Sequence, residues 1–227
     1  VRINPLDQDG IDDLAEVMRG RPDIVALPKV AEPADVAALA DAVARFERDY
    51  GVPEGETMLL PNIEFARGLV QLGAIVRVSP RTTACLMAAE NLAADLGAER
   101  EPDGVELAYA RQRFLLECVA AGVVAVDCPY TFSDADGVER ETRWARRLGY
   151  KAKSAVDPTH PVIINRVLTP NSAELARARI IVGAFEAMRE HGEARVEVDG
   201  ALVEVPTYTT AKRLLARHDA LQAWTMS

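Results

Sequence analysis

The 227-residue sequence has little of what marks several large classes of protein. Aromatic residues make up 5% of the chain, and no apolar run approaches the ~18 residues that a membrane-spanning helix needs. The first residues, VRINP, do not form a secretion signal. A formal charge of −9 leaves no excess of basic residues to neutralise a nucleic-acid backbone. We therefore expect a cytoplasmic protein with neither a nucleic-acid nor a membrane partner.

Cysteine is also scarce, and its placement argues against two kinds of site. The chain has Cys85, Cys118 and Cys128, an odd number with no metal-ligand spacing. This pattern disfavours a disulfide framework and a zinc site. We expect the three cysteines to be buried and to pack as small hydrophobic residues.

Short apolar runs alternate with helical patterns along most of the chain, at intervals of roughly 30 residues, which is typical of βα units in a parallel sheet. The runs are apolar throughout rather than alternating, as in strands that are covered on both faces. Six strands are predicted, at Val1–Asn4, Ile24–Val30, Met58–Glu64, Thr83–Ala88, Val123–Asp127 and Ala152–Asp157.

The segments between and after these runs carry helical signals. An apolar stripe from Val36 to Phe46 has the spacing of a helix that covers a sheet. Asn171 and Glu174 have the offset of a capping box, and the apolar stripe that follows them predicts the longest helix of the chain.

The C-terminal part departs from the βα pattern. Residues Ala194–Glu204 alternate around Asp199-Gly200, which predicts a β-hairpin, and Thr209–Leu221 returns to helical spacing. We therefore divide the chain into a βα domain at 1–170 and a helix, hairpin and helix extension at 171–227.

The number of βα units leaves two fold classes to weigh. A Rossmann fold needs a glycine-rich turn after its first strand, and neither a G-x-G-x-x-G nor a Walker sequence occurs. We therefore predict an α/β fold of the (β/α)8 TIM-barrel type that lacks its first two units in this chain. Because the chain opens at Val1 in a strand-like segment, we expect an N-terminal segment to precede it.

Polar residues follow the predicted strands at their carboxyl ends, where the active sites of TIM barrels lie. Neighbouring carboxylates there can bind Mg²⁺, and an arginine can bind a substrate carboxylate through two hydrogen bonds. Any one of these residues also fits a salt bridge at the barrel rim. The residues are Arg2 with Asn4, Lys29, Glu64, Glu90 with Asn91, Asp127, and Lys153 with Asp157.

Seven pieces of the sequence resemble the citrate lyase β-subunit-like proteins of the HpcH/HpaI aldolase/citrate lyase family. The resemblance runs from residue 1 to about residue 212, and the order and spacing of the pieces make it specific. In that family two βα units normally precede the first of them. The pieces are VRINP at 1–5, LPKV at 27–30, PNIEFARGL at 61–69, AAENLAADLG at 88–97, YARQRFLLECVAAGVVAVD at 109–127, FSDADGVERETRWARRLGYKAK at 132–153 and NRVLTPNSAELARA at 165–178.

The resemblance implies roles for individual residues. The family's arginine, which binds the substrate carboxylate or keto oxygen, falls on Arg2, and its metal-binding glutamate falls on Glu64. The second metal ligand, an aspartate in the family, falls on Asn91. Losing that carboxylate removes one negative charge but keeps an oxygen ligand, so we expect Mg²⁺ to bind more weakly. Glu90 is the adjacent acid and would need a rearranged strand end to replace it.

The predicted substrate contacts follow from the charge of the chain. With a formal charge of −9, an anionic acyl-CoA thioester would have to be held by a few cationic residues such as Arg2, Lys29 and Lys153. Ala88 stands where the family has a glycine, and Asp157 stands where it has a histidine near the mouth that admits CoA. Both departures bear on whether the family's activity is kept.

The activity implied by the resemblance is a Mg²⁺-dependent carbon-carbon lyase. It would cleave a 3-hydroxy-acyl-CoA of the citryl, malyl or citramalyl type into an acyl-CoA and a 2-oxo acid. Two alternatives stay open, a divergent acyl-CoA thioesterase of the same fold and a catalytically silent binding or assembly subunit. Asp127 and Asp199 are local candidates for the base, and the family implies a homo-oligomer, a trimer or hexamer.

Overall fold

The computed structural model describes residues 1–191 and 195–225, apart from the side chains of residues 224 and 225. It divides into two compact units, Val1–Leu168 and Thr169–Ser227. The predicted division after residue 170 lies close to this boundary. The first unit contains the parallel sheet and every predicted site residue except Asp199.

A five-stranded parallel sheet forms the centre of the first unit, with its strands side by side in chain order. This consecutive order has no switch point of the kind found in a doubly wound sheet, and it is the order of successive units in a (β/α)8 barrel. The α/β fold with a parallel sheet is thus confirmed. The strands are β1 (Ile24–Val30), β2 (Met58–Ile63), β3 (Ala84–Met87), β4 (Val124–Asp127) and β5 (Ala152–Lys153).

The predicted first strand, Val1–Asn4, is wrong as a full strand. The segment lies parallel to β1, but only Arg2 forms a bridge, to Ala26. The hydrogen bonds from Ala26 N–H to Val1 O and from Ile3 N–H to Ala26 O are made, but the next two in this register would need the N–H groups of Pro28 and Pro5, which proline lacks, so the ladder stops there. The last strand is also shorter than predicted, since β5 ends at Lys153.

Helices cover the sheet, and their apolar stripes form the core with the strands. The predicted stripe on α2 is confirmed, with Val36, Leu39 and Val43 fully buried. Among the described residues, no helix combines the length and apolar character needed to cross a membrane. The helices of this unit are α1 (Gly10–Val17), α2 (Pro33–Tyr50), α3 (Ala66–Val70), α4 (Leu72–Ile75), α5 (Ala89–Leu96), α6 (Ala108–Ala121), α7 (Ala135–Leu148) and α8 (His160–Leu168).

The second unit contains the predicted helix, hairpin and helix. Helix α9 (Ser172–Glu190) begins at the predicted capping box, in which Asn171 and Glu174 each accept a hydrogen bond from the other's backbone N–H at 2.9 Å. Helix α10 (Val205–Thr225) begins earlier than the predicted Thr209 and is longer than α9, so the prediction that α9 is the longest helix is wrong.

The hairpin pairs β6 (Glu197–Val198) with β7 (Ala201–Leu202). Its turn residues, Asp199 and Gly200, both have positive φ, as a two-residue turn of this type requires. The predicted start at Ala194 lies outside the described residues. Asp199, a candidate base in the sequence, pairs with Arg177 at 2.5 Å within this same unit.

The cysteine prediction is confirmed: Cys85, Cys118 and Cys128 are free and buried. Burial, together with the charge of Asp127, raises the pKa of the Cys128 thiol to about 12. This thiol therefore stays protonated and unreactive at neutral pH.

Candidate active site

Glu64 and Asn91 lie together where β2 and β3 end. The carboxyl ends of parallel strands meet at one edge of a sheet, and here that edge brings together two residues that are far apart in the sequence. Asn91 Nδ2 donates a hydrogen bond to Glu64 Oε2 at 2.6 Å. Glu64 is 4% exposed, whereas Asn91, in the first turn of α5, is exposed.

The surroundings of Glu64 fit a cation. Its carboxylate is buried, and no lysine or arginine among the described residues forms an ion pair with it. A buried carboxylate without a counter-charge is costly, and a hard divalent cation with oxygen ligands would supply that charge. In the described part of the chain, no group of three or more His, Cys, Asp or Glu side chains is arranged so that it could hold a metal ion. A cation at Glu64 and Asn91 would therefore keep positions for water and substrate.

Arg2 faces the same side of the sheet as Glu64. Ile3 and Ile63 are both buried in the core between the sheet and the helices. Side chains alternate along extended chain, so Arg2 and Glu64, each next to one of these isoleucines, point to the opposite face. Arg2 is exposed, and no described residue forms an ion pair with it. It is thus a free cation on the face that carries the Glu64 carboxylate.

Lys29 has a strained backbone at the end of β1. Its φ of 58° is in the left-handed region, and the pairing of β1 with β2 shifts register between Leu27 and Val30. Such strain costs about 1–3 kcal/mol and is concentrated at functional sites. The exposed Lys29 lines a cleft of about 400 Å³ that also carries Asp7 and Arg67.

Lys153 is not positioned as predicted. Its side chain is 1% exposed, and its ammonium contacts Asp127 Oδ2 (2.9 Å), Glu141 Oε2 (3.0 Å) and the Cys128 carbonyl oxygen (2.5 Å). Two hydrogen bonds, to Asp127 and the Cys128 carbonyl, and the ion pair with Glu141 hold the buried ammonium, so this placement does not support the predicted contact with an acyl-CoA thioester.

Asp127 belongs to the same buried cluster. It accepts two hydrogen bonds from the guanidinium of Arg111, at 2.9 and 2.7 Å. Burial alone would raise the pKa of Asp127, but the charges of Lys153 and Arg111 hold it below its usual value. Asp127 is therefore held as a carboxylate and is not suited to act as the base.

Two further acidic residues near the strand ends, Glu90 and Asp157, are held by neighbouring groups. Glu90 is bound by Arg100 (3.1 Å) and Thr131 (2.5 Å), so it does not replace the missing aspartate at Asn91. Asp157 accepts hydrogen bonds from the Thr159 backbone and hydroxyl just before α8, and these bonds lower its pKa. Its carboxylate thus has a local structural role.

Ala88 fits its position without strain. It has an extended backbone with φ of −104°, which any residue adopts. The glycine expected from the resemblance is therefore not required by the backbone at this point.

Two features of the site were not predicted. Arg111 lies within the buried stripe of α6, between Ala110 and Phe114. A charged residue inside an apolar stripe was the signal in the sequence that it has a buried partner.

Asn62 lies on β2, two residues before Glu64, and is buried. Its Oδ1 atom has no hydrogen-bond partner among the described residues. An asparagine within a predicted buried strand was the signal there.

The chain is similar to known proteins of one family. A sequence model of the HpcH/HpaI aldolase/citrate lyase family matches residues 1–158. The citrate lyase subunit beta of Leuconostoc mesenteroides is 32% identical over 95% of this chain and 72% of its own length. A (3S)-malyl-CoA thioesterase of Cereibacter sphaeroides is 32% identical over 99% of this chain and 75% of its own length.

A solved structure is similar over nearly the whole chain. The CitE protein of Mycobacterium tuberculosis, in complex with magnesium, acetoacetate and coenzyme A, superimposes with a TM-score of 0.72 and 26% identity. The match covers 96% of this chain and 77% of that one. With the family match over residues 1–158, this similarity leads to one conclusion: the chain belongs to the HpcH/HpaI aldolase/citrate lyase family.

Proposed function

We propose that the protein is a Mg²⁺-dependent carbon-carbon lyase. It cleaves a 3-hydroxy-acyl-CoA of the citryl, malyl or citramalyl type into an acyl-CoA and a 2-oxo acid. The observation that carries the proposal is the contact between Glu64 and Asn91 at the ends of β2 and β3. It places a buried carboxylate, with which no cationic side chain in the described part of the chain pairs, beside an amide.

The residues would divide the work as follows. Mg²⁺, when bound, supplies a Lewis acid for the oxygen of the forming 2-oxo acid. Glu64 holds the cation, and Asn91 turns its amide so that Oδ1 replaces Nδ2 at the site. Arg2 neutralises the carboxylate of the 2-oxo acid, and Lys29 contacts the anionic thioester.

The bond changes balance without an oxidant or reductant. The bond between the α carbon and the β carbon of the thioester breaks, and its electron pair stays on the α carbon. The β hydroxyl loses its proton as its carbon becomes the oxo group. Protonation of the α carbon then completes the acyl-CoA.

A substrate assay tests the proposal. Citryl-, malyl- and citramalyl-CoA are each incubated with the purified protein and Mg²⁺, while 2-oxo acid and free CoA thiol are measured separately. Release of a 2-oxo acid without free thiol is the expected result. If all three thioesters stay intact, the lyase proposal fails.

Thioester hydrolysis is the second candidate. It is favoured by the 32% identity with a (3S)-malyl-CoA thioesterase across 99% of the chain. It is also favoured by Asn91, which leaves the cation site with one carboxylate. In the same assay this activity releases free thiol. A silent binding subunit would release neither product but would still bind the thioester.

Asn91→Asp tests whether the cation site is weakened in this chain. A second carboxylate at 2.6 Å from Glu64 would be repelled in the metal-free protein and would bind the cation with full charge. We expect Mg²⁺ affinity to rise by about tenfold or more. Isothermal titration with MgCl₂ measures it. Asn91→Leu, which removes the oxygen, is the matched control and should weaken binding. Equal affinity in all three proteins would contradict the assignment of Asn91 as a ligand.

We also propose that the protein assembles as a trimer or hexamer. The support is an apolar stripe on α6 that is exposed in the single chain, formed by Tyr109, Leu116 and Val119. Light scattering during size-exclusion chromatography gives the mass, and a monomer at all concentrations would refute the proposal.

A further inference from the structure

Asn62 is a buried polar residue whose amide oxygen lacks a partner. It is 5% exposed, and no described residue donates a hydrogen bond to Oδ1. Leaving a buried acceptor unsatisfied costs about 1–3 kcal/mol. Native structures contain few such groups, and each one calls for a bound water, an ion or a function.

The position of Asn62 relates it to the cation site. It lies two residues before Glu64 on β2, so the two side chains share the face that lies opposite to the core. Its neighbour in register on β3 is Leu86, which offers no donor. On the other side, Leu27 pairs with Pro61 and Val30 pairs with Ile63, so the irregular part of β1 lies beside Asn62.

The interior layers of a TIM barrel are normally filled by bulky apolar side chains. Leu86 follows that rule at this level of the sheet, whereas Asn62 breaks it one step below Glu64. Its oxygen therefore lies on the surface that a cation at Glu64 would face.

We propose that Asn62 is a positioning residue for the cation, in that its Oδ1 accepts a hydrogen bond from a water ligand of Mg²⁺ held by Glu64 and Asn91. The inference rests on the proposed function. Mg²⁺ keeps several waters when it binds to one or two protein ligands, and those waters need acceptors. A partner of this kind changes metal affinity by about 10–100-fold. Asn62 would thus offset part of the affinity lost through Asn91.

Asn62→Leu separates this role from a structural one. We expect Mg²⁺ affinity, titrated with MgCl₂ alone, to fall about tenfold. The midpoint of thermal unfolding without metal should stay or rise, because the variant removes an unsatisfied buried acceptor. Asn62→Ala is measured in parallel. If the larger leucine does not fit at this position and disturbs the fold, the alanine variant still tests the loss of the amide oxygen.

Leu60→Ala is the matched control, since Leu60 lies on the same face two residues earlier and carries no polar atom in its side chain. It should leave Mg²⁺ affinity unchanged. If the wild type binds Mg²⁺ and both Asn62 variants bind it equally well, the inference is overturned while the proposed function stands. If the wild type does not bind Mg²⁺, the proposed function fails, and the inference fails with it.

Discussion

Glu64→Gln is expected to lower the rate of 2-oxo acid release by on the order of 10²-fold or more and to weaken Mg²⁺ binding. Glu64 is the one carboxylate of the Glu64 and Asn91 pair, and glutamine keeps its shape while removing its charge. The Lewis-acid contribution of a cation is worth several kcal/mol, and each 1.36 kcal/mol is tenfold in rate. Rates are measured under saturating thioester, with Mg²⁺ affinity titrated separately.

Glu90→Gln is the matched control for this experiment. Glu90 is also a glutamate close to a strand end, in the first turn of α5, but Arg100 and Thr131 hold its carboxylate. We expect its activity and Mg²⁺ affinity to stay within a few-fold of the wild type. A Glu64→Gln protein that remains folded and as active as the Glu90→Gln protein would rule out Glu64 as the metal ligand.

The sequence was most informative where a strand is long and buried. The run from Ile24 to Val30 was predicted with the bounds it has in the structure, because its apolar residues are bounded by turn signals on both sides. The Val1–Asn4 segment and the end of β5 were overpredicted. The pairing of Val1–Asn4 ends where Pro5 and Pro28 lack the N–H groups that the ladder would need next, and the hydrophobic pattern alone does not show such a missing donor.

The candidate site was predicted only in part, because the position of a residue in the sequence gives its place along the strand but not the face of the sheet to which its side chain points. Position after a strand places a residue at the correct edge of the sheet, which is why Glu64 and Asn91 were expected to be close and are close. It does not say which face the side chain takes. Asp127 follows Ala125 by two residues and therefore shares its core-facing side, so it meets Arg111 from α6. Lys153, its partner in register, takes the same side.

The cluster of Arg111, Asp127, Glu141 and Lys153 yields the largest stability effect that we expect. It contains two cations and two carboxylates, all with side chains no more than 8% exposed. Lys153→Met leaves three charges with a net negative charge in the core. Removing one partner of a buried pair typically costs 3–5 kcal/mol, and we expect a loss of about that size in the free energy of unfolding. Urea denaturation measures the loss.

Two further variants test the electrostatic reason. Lys151→Met changes an exposed lysine two residues away and should cost little. Adding Glu141→Gln to Lys153→Met restores neutrality, with Arg111 against Asp127, so the double variant should recover part of the lost stability. A loss for Lys153→Met no larger than that for Lys151→Met would contradict this explanation.

The cluster also predicts the pH dependence of stability. Burial raises the pKa of Asp127, but the positive charges of Lys153 and Arg111 lower it by more. The pKa of Asp127 is therefore lower in the folded chain than in the unfolded chain. The stability that this carboxylate contributes is therefore fully present above its unfolded pKa of about 3.9 and is lost as the pH falls through the folded value. Lys153→Met removes one of the two cations that lower this pKa, so its stability should begin to fall at a higher pH than that of the wild type. Urea denaturation between pH 7 and pH 3 measures the difference, and parallel curves for the two proteins would contradict the coupling.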